Sequence, residues 1–219
     1  MVNTASLSAV SIGNSLADIL RDRIATGVYK PGEWIRESAI ANEFGYSNGP
    51  IREALQLLVS EELLVREPRR GMRVTELSVP EIIEIFQVRG ALLELAAELA
   101  ASRIVPQTLS QAEKLLQSLD GWVAHSNTEK LMKVGHALSM WLCEASGSAR
   151  LSREFARLTL QSRMYTYTSL SKRKDRSEIA KPWHELIAAL KQKDATAARR
   201  ATRHMTQRTL DGLGLSAGI

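Results

Sequence analysis

The chain has 219 residues, 44% of them hydrophobic and 5% aromatic, enough to bury one large core or two smaller ones, with two units the expected count. Its richness in Ala, Leu, Arg and Glu, with few Pro or Gly breaks, points to a mainly α protein and excludes a sheet-dominated fold. The net charge of +5 invites a nucleic-acid partner but must first be located along the chain, while the absence of any apolar run near the ~20 residues that span a bilayer excludes a membrane protein.

The opening MVNTASLSAVSIG has neither a charged start nor a long apolar core, so it reads as a loose segment of a cytoplasmic protein. The single Cys143 can form no internal disulfide. Next, SLADILRDRIATG sets Leu16, Ile19, Leu20 and Ile24 at helical spacing, closed by Gly27 and the turn YKPG. In RESAIANEF, Ile40 and Phe44 lie four apart before Gly45. Ser47 can then cap a third helix, NGPIREALQLLVSEEL, where Pro50 costs little because first-turn amides lack intrahelical partners anyway. Two helices meeting across FGYS form a helix-turn-helix, and LLVREPRRGMRVTEL reads as two short strands around a PRRG turn, a β-hairpin wing. Leu57, Leu58, Leu63 and Leu64 are expected in its core.

The pattern changes at SVPE, a capping box of Ser78 and Glu81 that opens the long helix IIEIFQVRGALLELAAELAA. The boundary is set near residue 77, giving a winged helix-turn-helix over 1–77 and an all-helical bundle of about six helices over 78–219. Further helices are expected at roughly 107–125, 128–146, 148–171, 178–192 and 194–211. Residues 1–78 carry 9 Lys and Arg against 10 Asp and Glu, and the remainder 20 against 14, so bulk charge argues only weakly. Local clustering argues better, because Arg66, Arg69, Arg70 and Arg73 fall within eight residues opposed only by Glu67. Lys172, Arg173, Lys174 and Arg176 read as a solvated basic loop.

The string GVYKPGEWIRESAIANEFGYSNGPIREALQLLVSEELLVREPRRGMRV resembles the winged helix-turn-helix of the GntR family of bacterial transcription regulators, through its PG turn, its FG-x-S-x-x-P-x-REAL core and the RG of the wing. The helical remainder, with VRGALLELAAELAA and EASGSARL, is similar to the ligand-sensing domain of the FadR subfamily, the FCD type. The resemblance implies a dimeric DNA-binding regulator, usually a repressor, whose partners are double-stranded operator DNA and a small-molecule effector. Expected DNA-facing residues are Arg36, Ser47, Asn48, Gly49, Pro50 and Arg52, with Arg69, Arg70 and Gly71 in the wing. Arg52 can reach guanine or phosphate and Asn48 can pair with adenine, while the wing arginines suit a minor groove. Relatives more often carry Arg-Thr at Asn48-Gly49, so their operator sequence does not transfer.

Sensing domains of this subfamily commonly hold a divalent metal through an Asp and a His four apart plus two later His. Laid over this chain, those positions fall on Gly135, Ser139, Trp183 and Met205, with His136, His184 and His204 each out of register; one residue turns a helical side chain by about 100°. No metal and no cofactor are therefore expected, and the pocket should take a small organic acid: its carboxylate on Arg89, its apolar part against Trp183 and Met205. An intramolecular ion pair of Arg89 with Glu94 or another acid is the competing reading, and Arg163, Tyr165 and Tyr167 are further candidates. The rival functions are the same fold with a metal-dependent effector site, a small metal-dependent hydrolase, and a protein-binding adaptor. No G-x-S-x-G, H-E-x-x-H, Walker or GxGxxG string supports an enzyme.

Overall fold

The computed structural model describes residues 4–173 and 175–215, with side chains from residue 12 onward except Ser177. The chain divides into two compact units, residues 1–78 and 79–219. Lys174, one of the four basic loop residues, lies outside the described residues.

In the first unit, α1 (Thr4–Ala25), α2 (Glu37–Phe44) and α3 (Asn48–Ser60) accompany a three-stranded antiparallel sheet of β1 (Trp34–Ile35), β2 (Leu64–Glu67) and β3 (Gly71–Val74), in the order β1-β3-β2. Leu16, Ala17, Leu20 and Ile24 give α1 one buried face, which meets Ile40 of α2, Ile51, Leu55 and Leu58 of α3, and Leu64, Met72 and Val74 of the sheet. Ile19, placed in that face by its spacing, is instead 42% exposed. The stretch expected to be loose also differs: α1 starts at Thr4. A helix that the core fixes at Leu16–Ile24 extends cheaply backward, since propagation costs far less than nucleation. Gly45 ends α2 at φ 68, a left-handed value that suits glycine. Salt links brace the motif: Arg21 grips Glu61 through Nε and Nη2 at 2.6 and 2.7 Å, and Arg23 holds Glu43 while lying over the Phe44 ring.

The hairpin pairs Leu64 with Val74 through Glu67 with Gly71, and β1 adds Trp34 opposite Arg73. Strand β1 escaped the sequence reading because two residues carry no periodicity.

Among the described residues, the second unit holds six α-helices: α4 (Val79–Arg103), α5 (Pro106–Ala124), α6 (Thr128–Ala145), α7 (Ala149–Lys172), α8 (Lys181–Lys191) and α9 (Ala195–Leu213), with a 3₁₀ turn at Ser177–Ile179. Small residues let α4 pack closely: Ala96, Ala97, Ala100 and Ala101 are buried, and a Cβ built on Gly90 would lie 2.9 Å from Thr206 Oγ1 of α9. Asn127, Ser148 and Asp194 cap α6, α7 and α9, each side chain accepting from the backbone three residues on. No helix among the described residues is long and apolar enough to cross a membrane.

Candidate functional site

The first unit exposes most of the residues expected to meet DNA. Ser47 sits at the N-cap position of α3 in extended conformation, yet its hydroxyl makes no capping bond; Pro50, third in the helix, is tolerated because first-turn amides lack intrahelical partners. Asn48 and Gly49 follow it on the open surface, and a Cβ added at Gly49 would meet nothing within 4 Å. Pro50 is buried, so its ring offers DNA no surface. Arg52 is 68% exposed and its Nε donates to Glu37 Oε2 at 2.9 Å. Arg36 is exposed at the start of α2. At the hairpin tip Arg69 takes φ 65 and Gly71 φ 108, turning the chain so that Arg69 and Arg70 are both exposed, Arg70 at 3.9 Å from Glu67. Of the four clustered arginines, Arg73 is committed to Glu67, and Arg66 donates to Gln56 at 3.1 Å.

The second unit encloses a cavity of about 210 Å³. All six residues expected around an effector line it: Arg89 from α4, Gly135 and Ser139 from α6, Arg163 from α7, Trp183 from α8 and Met205 from α9. Arg89 donates through Nη1 to Ser162 Oγ at 2.8 Å and lies over the rings of Phe86 and Phe155, 5.1 and 5.3 Å from their centroids. Its Nε is enclosed with no acceptor. Burial pulls this guanidinium down to about 10. Burial likewise pushes the thiol of Cys143 up to about 12, against the pull of the nearby Arg89. The competing ion pair is not made, because Glu94 is already taken by Arg203 at 2.8 and 3.0 Å and approached by Arg199 at 3.7 Å.

Two features of the cavity depart from expectation. His136 lines it rather than facing away, although its side chain is also exposed to water; a slot this wide accepts more than 100° of α6, so Met132, Gly135, His136 and Ser139 all contribute. Burial among protein atoms, then Arg163 and Arg89, lower the imidazole's pKa. Second, the loop read as solvated supplies a wall: Arg173 lines the cavity and donates through Nη2 to the carbonyl of Arg208, itself a lining residue. Of the other two described loop residues, Lys172 is exposed and Arg176 donates to the carbonyl of Ser126. Tyr165 and Tyr167 are not among the lining residues.

A divalent metal does not fit this donor set. The positions that the resemblance assigns to metal ligands are occupied by Gly135, Ser139, Trp183 and Met205, the Ser139 hydroxyl donates back to the Gly135 carbonyl at 2.9 Å, and the lining holds four arginines and Lys133 with a single acid, Glu178. His184 lies outside, its Nε2 paired with Asp120 at 3.0 Å, and His204 stands 4.0 Å from Glu185. His125 engages the Gly121 carbonyl at 2.7 Å. Among the described residues no three His, Cys, Asp or Glu side chains are grouped to hold a metal ion.

The FCD domain family matches residues 84–208, and the bacterial regulatory proteins of the gntR family match residues 13–74. The chain belongs to the gntR family, in its FCD-domain branch. This gntR-family chain is 37% identical to the HTH-type transcriptional regulator YdhC of Bacillus subtilis over 110 residues, 50% of this chain and 49% of that protein. It is 26% identical to the HTH-type transcriptional regulator McbR of Escherichia coli over 213 residues, 96% of each chain. The solved structure of E. coli McbR/YncC matches it with a TM-score of 0.79 at 25% identity, covering 91% of this chain and 95% of that one. The gluconate operon transcriptional repressor of Bacillus subtilis is 32% identical over 124 residues, 57% of this chain and 51% of that protein. The chain thus spans about half the length of two of these relatives and nearly all of the third. Membership makes the gntR-family chain a transcription regulator with a ligand-sensing domain, and not an enzyme.

Proposed function

We propose that the protein is a cytoplasmic repressor that binds a near-palindromic operator as a homodimer and is controlled by a small organic acid held in the cavity of its second unit. The observation that carries the effector reading is Arg89, a guanidinium with an enclosed, unmet Nε donor. A carboxylate is the natural complement, since it accepts from a guanidinium fork through two oxygens. The rest of such an acid finds an apolar wall at Trp183 and Met205, with Gly135 leaving room and Arg163 adding positive charge.

For the DNA-facing side, Asn48 and Arg52 are proposed to read base edges from the start of α3, with Arg36 and the wing arginines Arg69 and Arg70 on phosphates or the minor groove. Repressor action is supported by the relative named for repression of the gluconate operon. Dimerisation is assigned to α4, where Val88 and Leu95, seven residues apart and so on one face, are 51% and 46% exposed. Effector binding would alter operator affinity by favouring one of two arrangements of the dimer, because a ligand shifts an equilibrium only through its differential affinity for the two states.

A thermal-shift screen of organic acids on the purified chain tests the effector reading. Acids carrying an apolar part should raise the melting temperature in a concentration-dependent way. If sugars, amines or divalent metals stabilise the protein and acids do not, the reading fails.

A further inference from the structure

The cavity is a slot along α7. Thr159, Arg163, Thr166, Leu170 and Arg173 line it at spacings of three and four, a single helix face. Arg89 is bonded at one end, to Ser162, and Arg173 closes the other at the C-cap of α7. Eleven residues separate these two points, about 16 Å of helix rise.

The far end repeats the problem posed by Arg89. Arg173 donates through Nη2 to the Arg208 carbonyl, but its Nε is enclosed and has no acceptor. Beside it, Arg208 spends Nη2 on Glu178 Oε2 at 2.7 Å and Nη1 on the Glu178 carbonyl at 3.1 Å. Glu178 is also approached by Lys181 at 3.8 Å, so the one acid lining this end is already engaged by other cations. Burial and the neighbouring Arg208 both lower the pKa of Arg173, as expected of a cation short of an anion.

Among the described residues, the enclosed side-chain nitrogens and oxygens without a partner are Arg89 Nε, Thr159 Oγ1 and Arg173 Nε, and all three belong to residues lining this cavity. Buried polar groups are nearly always paired, so unmet groups at both ends of one cavity point to a ligand that supplies their partners. A ligand with one acidic group satisfies one end of the slot and leaves the other arginine orphaned.

We infer that the cavity's ligand is an elongated dicarboxylate, one carboxylate on Arg89 and Thr159 and the other on Arg173, with an apolar spacer between. This rests on the organic-acid reading above and adds the second charge and the length. Long diacids are accepted because the two cationic ends are far apart, and short ones are disfavoured because they cannot reach both.

Calorimetric titration of the full chain with α,ω-dicarboxylates from succinate to sebacate, alongside monocarboxylates of matched length, tests it. One intermediate diacid should bind about tenfold or more tightly than its matched monoacid. R173Q should bring that diacid down close to the monoacid's affinity and cost the monoacid far less, whereas R89M should weaken both strongly; R173K, which keeps the charge and loses the Nε donor, should fall between wild type and R173Q for the diacid. Circular dichroism on each variant separates lost binding from lost fold. Equal binding of mono- and diacids, or a diacid affinity indifferent to R173Q, overturns the second carboxylate and leaves the single-acid reading standing. If neither series binds wild type, both readings fall.

Discussion

Arg89 of α4 reaches across to α7 and donates to Ser162 Oγ at 2.8 Å, while its enclosed Nε donates to nothing. A cation held this way destabilises the unliganded fold, and a bound anion would offset that cost.

Replacing Arg89 with methionine should therefore separate stability from response. The unliganded R89M protein should be at least as stable as wild type, by about 1 kcal/mol or more, since an apolar side chain of similar length removes an unpaired buried charge. An effector at about a hundred times its Kd should stabilise wild type by about 2.7 kcal/mol and R89M hardly at all. Paired melts with and without acid measure both; an R89M protein that still gains the full ligand shift would remove Arg89 from the site.

His136 gives the cavity a pH signature. Burial first, then Arg163 and Arg89, hold its pKa below the ordinary 6.5. Between those two values the unfolded chain binds more protons than the folded one, so stability rises with pH there and is lost as pH falls below about 6.5. H136Q should flatten that part of the profile, and a bound acid should do the same by offsetting the two arginines. Melting temperatures across mildly acidic pH, with and without the substitution, check this; an H136Q slope identical to wild type would assign the effect elsewhere.

On the proposed DNA-facing side, Arg52 is exposed and tethered to Glu37 by a bond with which a phosphate or base contact would compete. R52A should cost about 1–3 kcal/mol of operator affinity and relax sequence preference, whereas E37A, which removes the acceptor and frees the guanidinium, should tighten binding modestly. R69A should weaken binding to all sequences alike and reduce the salt slope by about 1. Anisotropy titrations at several salt concentrations distinguish these, and an R52A protein with unchanged affinity would move the reading contact off α3.

Leu95→Glu tests the dimer surface. If α4 forms the proposed dimer surface, a carboxylate placed there should convert dimer to monomer in analytical ultracentrifugation and weaken operator binding with it. A dimer that survives both L95E and V88E lies on another face.

The legible parts of this protein were those written in local pattern. The FGYS turn, the PRRG hairpin and the six downstream helices follow from spacing and caps, and residues four apart on α6 had to share a face, so Gly135 and Ser139 meet the cavity together. What stayed hidden depends on tertiary contact. Arg173 and Arg208 are 35 residues apart and lie in a basic loop and a polar helix that each read as solvent-facing, yet one donates to the carbonyl of the other. A rotation of about 100° takes His136 out of register for a metal held by four fixed groups but not out of the lining of a wide slot. The buried glutamate Glu94 gave the opposite surprise, since its partners Arg199 and Arg203 sit more than a hundred residues along the chain, and they leave Arg89 to the cavity.

The central claim, that occupancy of the arginine-lined cavity controls DNA binding, is tested most directly by measuring affinity for the gene's own upstream DNA with and without the acid that most raises the melting temperature. Wild type should change affinity by about tenfold, roughly the 1.4 kcal/mol of a modest allosteric coupling, and R89M should bind the DNA equally well in both conditions. An acid that binds the cavity and leaves the DNA affinity of wild type untouched would contradict it.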